Sequence, residues 1–149
     1  MHIQLLGSDP AAMAMNARQA VVLGAVGIDL NFGCPAKTVN KSNGGSILLR
    51  DPDRVASIVQ AVRDAVEPGI PVNAKIRLGY ETDENFEEVA EKVFLAGANE
   101  LCVHARTKVQ GYKPPAYWPR AAAIAASYEP ARLIINLSLI HISEPTRPY

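Results

Sequence analysis

The stretch richest in reactive groups is Asn31-Phe32-Gly33-Cys34-Pro35-Ala36-Lys37-Thr38-Val39-Asn40-Lys41-Ser42-Asn43-Gly44-Gly45-Ser46. It leaves a β-type run and sets a thiol between glycine and proline, with Lys37 and Lys41 nearby. A cysteine in a basic loop can exchange protons or attack, whereas one inside an apolar run packs as a small hydrophobe. Cys34 is therefore a candidate reactive group, and Cys102, inside Glu100-Leu101-Cys102-Val103-His104, is expected to pack in the core. Lys75 lies among apolar residues of a third run, where a buried ammonium needs a partner or a ligand oxygen to offset its lost hydration. His104-Ala105-Arg106-Thr107-Lys108 closes the next run with a donor-rich set. Gly44-Gly45-Ser46 could cradle a phosphate or simply allow a tight turn into a short helix, and no Walker or dinucleotide pattern surrounds it.

These groups need elements to hold them. Short β-type runs fall at 3–6, 27–31, 71–78, 100–104 and 132–136. Asp9-Pro10 and Asp51-Pro52 each place a side-chain acceptor at a helix N-cap and a proline at the first helical position. Val55, Ile58, Val59, Val62 and Val66 then recur at steps of three and four, as do Phe86, Val89, Ala90 and Val93. Thr82 or Asp83 is the expected cap of that second stripe and Gly97 its left-handed terminator, and a further helix is expected over 118–127. Strict alternation of strand and helix predicts an α/β fold with parallel strands. Polar residues end every run: Gln4, Asn31, Lys75 with Arg77, His104 with Arg106, and Asn136. In a (β/α)8 barrel all strand ends converge on one mouth, while an open sheet concentrates its polar ends at one switch point. The pattern therefore predicts a partial TIM barrel, about five of eight strand-helix units, since a complete barrel takes about 250 residues.

With 149 residues, 48% hydrophobic and 20% charged, the chain has the composition of a globular domain, which excludes disordered and collagen-like classes. Fifteen basic and fifteen acidic residues cancel, so a polyanion must be recognised by local patches. Such patches exist: Lys37, Lys41 and Arg50 follow Cys34 without an acid among them up to Arg50, and Arg106, Lys108 and Lys113 follow His104. The acids Glu81, Asp83, Glu84, Glu87, Glu88 and Glu91 gather on and before an outer helix, where they are expected to face water. The basic mouth suits phosphate-bearing ligands or nucleic acid, with Tyr112 and Trp118 available to stack on bases. Two cysteines in unlike contexts predict a reducing, cytoplasmic setting, and no run approaches the roughly 18 apolar residues of a membrane span. No metal-ligand spacing is present, so no metal is expected.

Together, Gln4-Leu5-Leu6-Gly7, Asp29-Leu30-Asn31-Phe32-Gly33-Cys34-Pro35, Lys75-Ile76-Arg77-Leu78-Gly79 and Val103-His104-Ala105-Arg106-Thr107 closely resemble the motifs of the tRNA-dihydrouridine synthases. The Lys37-Thr38-Val39-Asn40 continuation and Lys108-Val109-Gln110-Gly111-Tyr112 are most similar to the bacterial C-type enzymes. The resemblance implies reduction of the C5–C6 double bond of particular tRNA uridines by FMN, itself reduced by NADPH. It implies Cys34 as the proton donor to C5, a role that requires a thiol still protonated at neutral pH. It further implies flavin contacts from Gln4, Lys75, His104 and Asn136, with Lys75 and His104 offsetting charge on the reduced ring. Asn31, Lys37 and Arg106 would lie on the substrate side, where a uridine flipped from its stack must enter.

The resemblance runs over residues 1–136, expected to be the FMN-binding part-barrel. It leaves out the family's first two strands, its eighth strand and its carboxyl-terminal helical domain that grips tRNA. After Asn136 the pattern breaks at Leu137, and 137–149 reads as a non-native tail in which His141 is not a ligand. Two other readings stay open at this point: a flavin barrel of the dihydroorotate or dihydropyrimidine dehydrogenase type acting on a free pyrimidine, and a non-catalytic piece. Oligomeric state is not encoded in these features.

Overall fold

The structure, a computed structural model, describes residues 1–125 and 132–136. Five strands form one sheet: β1 (His2–Leu5), β2 (Gly27–Asn31), β3 (Val72–Arg77), β4 (Glu100–His104) and β5 (Arg132–Asn136). All neighbours are parallel and the spatial order follows the chain, β1-β2-β3-β4-β5. A doubly wound sheet reverses its order at a switch point; each crossover here steps the same way, as in one wall of a TIM barrel.

The helices are α1 (Pro10–Val22), α2 (Lys37–Lys41), α3 (Pro52–Ala65), α4 (Phe86–Leu95) and α5 (Trp118–Ala125), with a 3₁₀ helix at Gly45–Arg50. Both proline-headed helices start as expected: Asp9 accepts from the Ala12 amide at 2.7 Å and Asp51 from the Arg54 amide at 3.0 Å. The α3 stripe Val55, Ile58, Val59 and Val62 is buried, while Val66 lies just past the helix end as its half-buried C-cap. Gly97 ends α4 at φ +93°. The start of α4 differs from expectation. Asn85 occupies the N-cap without a side-chain bond, and Asp83 offers its backbone carbonyl to Phe86 instead, at 3.1 Å. Its carboxylate is taken by Arg120, whose Nε donates to it at 2.9 Å. The expected helix at 118–127 is present as α5 to Ala125; its last two positions lie outside the described residues.

Strand alternation splits the sheet into two faces. Ile28, Leu30, Val72, Ala74, Ile76, Leu101 and Val103 are buried in one core with the α3 and α4 stripes. The opposite face is half-covered and polar, and the register stacks it in rows. Gln4, Asp29, Asn73 and Glu100 form the lowest row, Asn31, Lys75 and Cys102 the next, Arg77, His104 and Asn136 the last. Cys102 is thus not a core residue. It is half-buried on the polar face, level with Lys75, because the two-residue period sends Leu101 and Val103 to the helices and Cys102 away from them. Among the described residues no helix is long and apolar enough to cross a membrane.

Candidate active site

At the carboxyl ends of β2, β3 and β4 lies a cavity of about 340 Å³. Asn31, Gly33, Cys34 and Pro35 line it from the loop after β2, Lys75, Ile76 and Arg77 from β3, His104 from β4 and Tyr112 from the following loop. Lys75 and Arg77 both reach it because they are two residues apart on one strand. Asn31 turns the β2 loop through its own side chain, its Oδ1 accepting from the Gly33 amide at 2.9 Å while its Nδ2 donates to Gln4 Oε1 at 3.2 Å.

Arg77 binds the mouth loops together. Only 3% exposed, it donates from Nε to the Gly33 carbonyl at 2.9 Å and from Nη1 to the carbonyls of Gly111 and Thr107 at 3.1 and 3.4 Å. Its guanidinium carbon lies 5.3 Å from the Tyr112 ring centre. Burial pushes its pKa down, but a guanidinium keeps its charge. The loop after β4 is closed on itself by Thr107 and Gln110, each amide donating to the other's side chain at 2.7 and 3.2 Å.

His104 meets Tyr112 edge-on, ring centres 5.8 Å apart. Its pKa is lowered to about 4, first by burial and then by the positive charges of Arg77, Arg106 and Lys75. The imidazole is therefore neutral at pH 7, so in the chain without ligand it offers a hydrogen bond and not a standing positive charge. Its buried Nε2 has no hydrogen-bond partner among the described residues.

The expected site residues separate into three groups. Cys34, Lys75, His104 and Asn31 share the mouth cavity. Gln4 stands at the exposed edge, bonded to Asn31, and with Lys75 lines a smaller hollow of about 180 Å³ on the polar face. Asn136 ends β5 in register with His104, which puts its backbone on the mouth row; its side chain lies outside the described residues. Lys37 and Arg106 do not line the cavity. Lys37 is exposed on α2. Arg106 is 2% exposed, with its Nε unpaired among the described residues, because β4 stops at His104 and the Arg106 amide turns back onto the His104 carbonyl at 2.7 Å. Arg77 and Tyr112 line the cavity in their stead, and the signal for Arg77 was its spacing from Lys75. Trp118 opens α5 away from the cavity.

The charge map is also more paired than the sequence suggests. Glu81 holds Arg50, Asp83 and Glu87 hold Arg120, and Glu88 pairs with Lys92 at 2.8 Å, so four of the acids expected to face water serve as partners. Arg50 is thereby neutralised, while Lys37 and Lys41 remain exposed. Arg50 and Lys108 both sit over Tyr80, at 4.2 and 4.7 Å from its ring centre.

A flavin ring is a flat body edged with carbonyl oxygens and ring nitrogens, so its site must offer donors. The donor set fits: the Lys75 ammonium, the orphaned His104 Nε2 and the Asn31 amide converge on the same rim. Among the described residues there is no cluster of three or more His, Cys, Asp or Glu that could hold a metal ion.

Comparison with known proteins identifies a family. The dihydrouridine synthase (Dus) family pattern matches residues 1–144. The chain is 58% identical over 118 residues to a tRNA-dihydrouridine(16) synthase of Shewanella oneidensis, covering 79% of this chain and 38% of that protein. It is 54% identical over 124 residues to the protein of that name from Pseudomonas putida, covering 83% and 38%. For the Vibrio parahaemolyticus protein the identity is 60% over 113 residues, covering 76% and 35%. The chain spans under two-fifths of the length of these relatives. On the strength of a family match over nearly its whole length, this chain belongs to the dihydrouridine synthase family.

Proposed function

We propose that this chain supplies one catalytic wall of an FMN-dependent enzyme that reduces a tRNA uridine to dihydrouridine, with NADPH as reductant. The observation that carries the reading is the meeting of Cys34 with Lys75 and His104 around one mouth cavity. FMN bound there would supply the hydride to uracil C6. Lys75, His104, Gln4 and Asn136 would hold the ring and its polar edge. The Cys34 Sγ–H bond breaks as its proton passes to C5, and solvent restores the thiol afterwards.

Arg77 and Asn31, which line the same cavity as Cys34, would face the substrate, and Tyr112 would offer a ring face to a base. Lys37 serves a phosphate at the rim and not the base, since it is exposed and outside the cavity. Arg106 acts behind the site by its charge. We assign the chain to the C-type with position 16 as its target, the position in the names of its relatives. Residues 1–136 form the catalytic portion of an enzyme that works in the cytoplasm.

The test uses the enzyme expressed from its full reading frame. Cys34→Ala should retain FMN and accept electrons from NADPH, yet reduce tRNA at least 100-fold more slowly in a single turnover. An undiminished rate removes Cys34 from the acid role. Mapping dihydrouridine in the tRNA of a deletion strain should show loss at position 16, and loss elsewhere overturns the C-type assignment.

A further inference from the structure

Beneath the Cys34 loop lies a buried polar pair that the proposed chemistry does not use. Asn40, 6% exposed on α2, donates from its side-chain nitrogen to the carbonyl of Cys34 at 3.0 Å and of Ala36 at 2.8 Å. Ser46, fully buried at the start of the 3₁₀ helix, donates from Oγ to Asn40 Oδ1 at 3.0 Å. Its backbone amide also donates to the Cys34 carbonyl, at 3.0 Å. Both amide protons of Asn40 and its oxygen are thus engaged, which fixes the direction of the side chain. The Cys34 carbonyl receives two donors from below. With that carbonyl held by two donors and proline fixing the next φ, the backbone that carries the Cys34 side chain is fixed beside the cavity that Cys34 lines.

We propose that Asn40 is a positioning residue for the Cys34 thiol, and that Ser46 sets the orientation of the Asn40 amide. This rests on Cys34 being the proton donor. The pair touches neither the cavity nor the flavin-facing residues, so it acts on proton delivery through the loop. A displaced donor loses on the order of 10- to 100-fold in rate when its angle and distance are no longer held. Asparagine is required where aspartate is not equivalent, since a carboxylate would face two carbonyl oxygens it cannot donate to.

The test compares Asn40→Ala, Asn40→Asp and Ser46→Ala in the full-length enzyme, each with and without Cys34→Ala. Three readouts are taken: flavin reduction by NADPH, single-turnover reduction of tRNA, and the rate at which iodoacetamide alkylates Cys34 in protein freed of flavin. The expected result is flavin reduction within twofold of normal, tRNA reduction slowed at least tenfold in both Asn40 variants and less in Ser46→Ala, and an altered alkylation rate. In the Cys34→Ala background the Asn40 substitutions should cost nothing further, because there is no thiol left to position. A tRNA step slowed equally with and without Cys34, or a normal tRNA step and alkylation rate in Asn40→Ala, overturns the proposal. If instead Cys34→Ala alone reduces tRNA at full rate, it is the acid role that fails. Should Asn40→Ala not fold, Ser46→Ala carries the same comparison with the backbone bond from residue 46 intact.

Discussion

Gly45→Ala tests how tightly the Cys34 loop is seated, because Gly45 combines two separable constraints. Its φ is +67°, in the left-handed region that costs a non-glycine residue about 1–2 kcal/mol. A Cβ there would also stand 2.7 Å from the Cys34 carbonyl oxygen and 3.1 Å from both Cys34 Cβ and Val39 Cγ1. The oxygen cannot yield freely, since the Asn40 side chain and the Ser46 amide both hold it at 3.0 Å. Stretching those two bonds adds about 1–2 kcal/mol.

Gly111 provides the matched control, with φ +62° and open space where its Cβ would lie. Gly111→Ala should therefore show the conformational cost alone, about 1–2 kcal/mol, and Gly45→Ala about 2–4 kcal/mol. At roughly 2–4 °C per kcal/mol, the two variants should differ in Tm by several degrees. Urea unfolding of both variants in one background measures the difference directly. If Gly45→Ala is no more destabilising than Gly111→Ala, the carbonyl is not pinned and the close approach of residues 34 and 45 is not a constraint.

The remaining predictions concern charge in the cavity. His104 binds its proton more weakly folded than unfolded, so its contribution to stability is complete above pH 6.5 and is lost as pH falls from 6.5 through about 4. Imidazole NMR should show this histidine titrating near pH 4, and His104→Gln should flatten acid destabilisation in that window; titration near 6.5 would refute the burial and charge effects assigned to it. Arg77→Met leaves three inward carbonyls without their donor and should cost about 3–5 kcal/mol in urea unfolding, with a loss under about 1 kcal/mol showing that the loops hold without it.

What the sequence made legible is what local chemistry decides. The Asp-Pro helix starts, the α3 stripe and the Gly97 stop depend on neighbours within a turn or two, and each stands where the residue types put it. The strand ends carrying Asn31, Lys75 and His104 were legible for a related reason, since a polar residue closing an apolar run has few places to go but a loop mouth. Asp83 illustrates the other case. Its spacing marks it as a cap, but Arg120, 37 residues on, competes for the same carboxylate and wins.

Cys102 and the two arginines show where a one-dimensional pattern runs out. An apolar strand says that its residues are covered and not which face each one covers, so Cys102 reads as core until the register levels it with Lys75. Arg77 and Arg106 look equivalent, each two residues beyond Lys75 or His104. Extending the strand period from Lys75 stays valid to Arg77, because β3 continues that far. From His104 it fails, because β4 has ended and a 2.7 Å backbone bond folds residue 106 under the mouth. One arginine thus lines the cavity and the other does not. The difference lies in where a strand stops, and past the end of β4 the Arg106 carbonyl accepts from the Leu78 amide of the neighbouring strand's loop at 3.1 Å. The mouth chemistry of this wall is accordingly a property of paired strand ends, and a substitution that lengthened β4 by two residues would bring Arg106 onto the face that carries His104 while leaving Arg77 in place.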